Sequence, residues 1–82
     1  MEKLYSQVKN VSQELESIIG LKGKRKAQQI AEEIIVREGL FYSKGCRPSY
    51  THYYLSNDRK SGSISLFISY KGDGKLKDIK IY

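Results

Sequence analysis

Cysteine, proline, histidine and methionine each occur once in these 82 residues, and tryptophan does not occur. A lone Cys46 excludes an internal disulfide and any multi-cysteine metal site. Its expected role is that of a small buried thiol. A lone His52 excludes a two-histidine mechanism, and one His with one Cys does not close a structural zinc site, so neither metal nor cofactor is expected. No apolar run approaches the roughly 20 residues that span a bilayer. The N-terminus lacks the apolar segment of a signal peptide. These absences lead to the expectation of a free-standing cytoplasmic protein without membrane contact. Carboxylates are scarce too: nine Asp and Glu stand against fifteen Lys and Arg, for a net charge of +6. No paired carboxylates, P-loop or Gly-x-Ser-x-Gly turn marks a catalytic centre.

What is present is patterned. Leu4, Val8, Val11, Leu15, Ile18 and Ile19 recur at steps of three and four, which predicts a helix with Gly20 as its stop. Ala27, Ile30, Ala31, Ile34 and Ile35 predict a second helix over residues 24–38, closed by Gly39. After Gly39 the period changes to two. Residues 49–56 place Tyr50, His52 and Tyr54 on one face, and Thr51, Tyr53 and Leu55 on the other. Residues 63–71 separate Ile64, Leu66 and Ile68 from Ser65, Phe67 and Ser69. Gly72-Asp73-Gly74 is a hairpin turn leading to a last strand over 76–82. There Leu76 is out of phase with Ile79 and Ile81, which predicts a bulge near Asp78 or a late start. A short further strand at 40–43 is compatible with the pattern. The implied fold is a single α+β domain, with an N-terminal helical hairpin on a three-stranded, or with that segment four-stranded, antiparallel sheet in ααβββ order. Ile64, Leu66 and Ile68 are expected beneath the helices, with the Ser65, Phe67, Ser69 face more open to water. A chain this short buries only about 60% of its unfolded surface. A homodimer or a bound partner is one way for so thin a core to gain stability.

The charge is concentrated. Lys22, Lys24, Arg25 and Lys26 fall within five positions, just where the second helix begins. Cations are unfavourable at a helix N-terminus by tenths of a kcal/mol each unless an anion occupies the site. Gly23, Ala27 and Ile30 match the spacing that follows the second glycine of the helix-hairpin-helix motif, and to that extent the stretch resembles it. Here Gly20 and Gly23 stand three apart, where the motif has two. The resemblance implies sequence-independent contact with a nucleic-acid backbone through the turn amides of Gly20–Gly23 and the following lysines.

Seven tyrosines are many for this length. Tyr42, Tyr50, Tyr53 and Tyr54 cluster with Lys44, Arg47, His52, Arg59 and Lys60. Rings on which bases stack, interleaved with cations that follow phosphates, characterise single-stranded nucleic-acid surfaces. The leading expectation is therefore a non-enzymatic RNA- or DNA-binding protein. Its contacts would be Lys22, Gly23, Lys24, Arg25, Lys26, Arg47, Tyr50, His52, Tyr54, Arg59 and Lys60, with Gly23 supplying a backbone amide. If the Tyr50–His52–Tyr54 face is open, Phe67 extends it; if it packs under the helices, His52 is a core histidine. Two alternatives stand beside this. One is a phage or mobile-element protein that inhibits a host protein or protein–nucleic-acid complex through Phe67, the open sheet face or a sheet edge. The other is a metal-independent ribonuclease of toxin type, with His52, Glu38, Arg47, Arg59 and the tyrosines as its candidate groups.

Overall fold

The computed structural model describes residues 2–57 and 62–82. Helix α1 spans Glu2–Glu16 and α2 spans Lys24–Arg37; strands β1 (Phe41–Cys46), β2 (Tyr50–Ser56), β3 (Ile64–Tyr70) and β4 (Leu76–Ile81) follow. The sheet is antiparallel throughout, in the order β1-β2-β3-β4. The expected ααβββ plan is thus present, with the extra strand formed and longer than its sequence pattern suggested.

The helix ends follow from local chemistry. α1 stops at Glu16, short of the expected Gly20, because Ser17, Ile18 and Ile19 donate to the carbonyls three residues back and tighten the turn. Gly20 then turns with φ +97°. α2 ends in a Schellman arrangement: Gly39, at φ +77°, donates to Val36 and Leu40 donates to Ile35. Leu40 is thereby buried and delivers the chain to β1.

Both helices lie on one side of the sheet. Leu4, Val8, Val11 and Leu15 of α1 and Ala27, Ala31, Ile34 and Ile35 of α2 close over Tyr53, Leu55, Leu66, Ile68, Tyr70 and Leu76. The strand period of two decides which side chains join them. Thr51 is buried within this layer, where its hydroxyl meets Tyr70 Oη at 2.6 Å and accepts from Gln28 Nε2 at 3.0 Å. The predicted bulge is real: Ser69 pairs with Asp78 but Tyr70 with Leu76, so Lys77 is the extra residue. That slip returns Leu76 to the core side.

Candidate nucleic-acid interface

The sheet face opposite the helices carries the aromatic surface. Tyr50, His52 and Tyr54 lie on it, as do Ser65, Phe67 and Ser69 of β3, Lys80 of β4 and the terminal Tyr82. Together they line a shallow depression of ≈ 560 Å³. Cross-strand pairing explains the arrangement: His52 stands directly opposite Phe67, and Phe67 opposite Lys80. The His52 and Phe67 rings stack with centroids 4.2 Å apart and 16° between planes. Tyr54 leans on His52 at 4.1 Å, Tyr50 on Phe67 at 5.6 Å, and Tyr82 meets Phe67 edge-on at 5.2 Å. The five rings form one connected sheet-top layer whose hub is Phe67. Tyr54 and Tyr82 are 50% and 72% exposed. His52 is accordingly no core histidine, although its Nε2 lies beneath neighbouring atoms without a hydrogen-bond partner.

The basic elbow between the helices lies at the end of the molecule where the β1–β2 and β3–β4 turns also meet. Gly20 N–H donates to Leu76, Leu76 N–H to Leu21, and Gly23 N–H to Gly74. Lys22 and Lys75 thereby become bridge partners. Lys24 Nζ donates to the Pro48 carbonyl and stands 5.6 Å from the centroid of the Tyr70 ring. Arg47 N–H donates to Tyr50, which places the β1–β2 turn at the edge of the aromatic layer. Among the described residues the ion pairs are Arg37–Glu14 and Lys44–Glu32. No described carboxylate pairs with Lys22, Lys24, Arg25 or Lys26. The nearby acid is Asp73, whose side chain accepts from the Lys75 amide at 3.0 Å.

Two expectations need correction here. The amides of Gly20 and Gly23 already serve the β3–β4 hairpin, so these two are not open to a phosphate; of the contact implied by the helix-hairpin-helix resemblance, the following lysines stay exposed. The amides still ahead of the α2 ladder belong to Lys24, Arg25 and Lys26, at an N-terminus with no side-chain cap and no acid in its first turn. Cys46 is exposed at the end of β1, where Gln28 Nε2 approaches its sulfur at 3.8 Å, so it is not a buried thiol. Arg59 and Lys60 lie outside the described residues. The groups considered for ribonuclease chemistry are dispersed: Glu38 caps the C-terminal end of α2, whereas Arg47 belongs to the turn near its N-terminus.

A third cluster, on the helix side, escaped the sequence reading. Glu32 of α2 accepts from Tyr42 Oη at 3.0 Å, Lys44 Nζ at 2.9 Å and Tyr53 Oη at 2.9 Å. Burial pulls the Glu32 carboxyl upward, but the three donors together outweigh it and hold the group below its ordinary value. Burial, and then donation to Glu32, push the Tyr53 phenol far above its ordinary value. The Glu32 bond raises Tyr42 and Lys44 as well. This network ties β1 to α2.

Lys80 and Tyr82 of the aromatic face, and Lys71 and Lys75 of the basic end, were also missed. The alternation of Lys80 and Tyr82 with Ile79 and Ile81 was the available signal for the first pair, and the flanking lysines of the Gly72-Asp73-Gly74 turn for the second. No protein-family model, no curated protein and no solved structure matches this chain.

Proposed function

We propose that this protein binds single-stranded nucleic acid without catalysis. Bases stack on the layer formed by Tyr54, His52, Phe67 and Tyr82, and the backbone is held by Lys80 and by the basic end at Arg47, Lys22, Arg25, Lys26 and Lys75. The observation that supports this reading is the connected aromatic layer on an uncovered sheet face, running at Tyr50 into a lysine-rich end. Stacking is indifferent to base identity because every base has a π-face, so little sequence preference is expected. A duplex hides those faces, so single strands are preferred.

Fluorescence anisotropy with labelled single-stranded RNA, single-stranded DNA and duplex DNA over a salt series tests this. Log affinity should fall linearly with log salt, by about 0.7 for each single-strand phosphate contact. Because Lys24 already serves Pro48, the combined Lys24→Ala, Arg25→Ala, Lys26→Ala variant should flatten that slope by about two contacts, roughly 1.4. An unchanged slope removes the elbow from the interface. Failure of all three probes to bind the wild type at low salt ends the proposal.

A further inference from the structure

β1 is an edge strand, and all six of its residues are exposed. The bond from Arg47 N–H to Tyr50 sets the phase of the β1–β2 ladder. Antiparallel bonding alternates, so Ser43 and Gly45 exchange bonds with Tyr54 and His52, and the backbone groups of Tyr42, Lys44 and Cys46 turn outward. None of these outward groups takes a backbone bond from another described residue. β1 contains no proline and no bulge, and its one charged residue, Lys44, is paired with Glu32 of its own chain. β4, the other edge, has a bulge at Lys77 and its start is occupied by Leu21.

We propose that the β1 edge pairs antiparallel with the β1 edge of a second copy of this chain, Ser43 opposite Ser43, joining two four-stranded sheets into one of eight. The proposal stands on strand geometry and is independent of what the open face binds. Because the outward groups sit on even-numbered residues, hydrogen-bonded partners across the two-fold axis must both be even-numbered. Centring on Lys44 sets two ammonium groups face to face, which is unfavourable. Centring on Tyr42 shortens the overlap and runs into the Gly39 turn. Centring on Ser43 pairs Tyr42 with Lys44 of the partner twice over and sets Phe41 opposite the partner's Gly45.

That last pairing is what favours a second copy over any other strand. Phe41 is 50% exposed. A Cβ built on Gly45 meets nothing within 4 Å, so the open face has a gap there, directly beside His52. An aromatic ring lying over a cross-strand glycine closes such a gap. Each copy thus supplies a ring for the other's gap, and the partner's Phe41 extends the aromatic layer past His52. The exposed apolar residues flanking the edge, Val36 and Tyr42, are carried into the same contact.

The test is sedimentation combined with register-specific cross-linking. The wild-type chain should sediment at twice its 9.4 kDa mass as concentration rises. Gly45→Glu has room in the single chain but takes the place of the partner's Phe41, so it should remain at monomer mass. In a Cys46→Ser background, Ser43→Cys should form a disulfide-linked dimer on mild oxidation, because opposed residues in a non-hydrogen-bonded pair come within disulfide range. Lys44→Cys in that background should not, since two copies of residue 44 are offset along the strands. A wild type that stays monomeric at every concentration overturns the proposal. So does cross-linking at Lys44→Cys in preference to Ser43→Cys, or a dimer unaffected by Gly45→Glu.

Discussion

Phe67→Ala combined with Tyr54→Ala should weaken binding of single-stranded RNA or DNA by at least tenfold while leaving the chain folded. Phe67 is the hub of the open face, touching His52, Tyr50 and Tyr82. Its loss breaks one layer into separate rings. Base–aromatic stacking contributes about 1–3 kcal/mol per base, or about five- to 150-fold in affinity for one contact. Tyr54 is half exposed and leans on His52, so it adds a second stacking position at the far end of β2. Neither residue belongs to the core under the helices, and the double variant should keep a cooperative urea transition. The salt slope should stay as in the wild type, because no cation is removed, and Phe67→Tyr should retain most of the affinity. Anisotropy titrations at one salt concentration read all of this. A folded double variant with wild-type affinity would leave the stacking account without support.

The parts of this interface that were legible in the sequence are those governed by strand period. Alternation in 49–56 and 63–71 assigns Tyr50, His52, Tyr54 and Phe67 to common faces, and the phase error at Leu76 marks the bulge at Lys77. Gly39 could be placed because the left-handed end of a helix selects glycine locally. β1 was only half visible for the converse reason: all six residues are exposed, so no apolar alternation exists to be read. Pairings across long stretches of chain left no mark either. Nothing near Gly20 or Gly23 announces that their amides will be used by residues 74–76, more than 50 positions later. That non-local stitching converts the elbow from a cradle of free amides into a rigid platform for lysine side chains. In the proposed function the basic end therefore acts through ammonium and guanidinium groups and the first-turn amides of α2.

Glu32 is the residue whose removal should cost the most stability outside the apolar core. Tyr53 is fully buried, and its hydroxyl donates to Glu32 Oε2. Glu32→Leu leaves that hydroxyl without its acceptor and frees Lys44 and Tyr42 from α2. A buried polar group stripped of its partner costs about 1–3 kcal/mol, more when the lost partner is charged. Urea unfolding at neutral pH should accordingly show a loss of about 2–3 kcal/mol. Tyr53→Phe should cost about 1 kcal/mol, and the double variant less than the sum, because the two changes remove one bond. The pH dependence has a definite sign. The Glu32 carboxyl is held below its ordinary value in the folded chain, so its contribution is complete above the ordinary carboxylate range and is lost as pH falls through the lowered folded value. Lys44, Tyr42 and Tyr53 are raised, so their contribution is complete below their ordinary values, about pH 10, and is lost as pH rises beyond them. The network is whole between about pH 5 and 10. Glu32→Gln should remove this carboxyl's share of the acid-side decline, visible as a shallower loss of urea midpoint below about pH 5. If that variant followed the wild type at both neutral and acid pH, the carboxylate would not be what fastens β1 to the second helix.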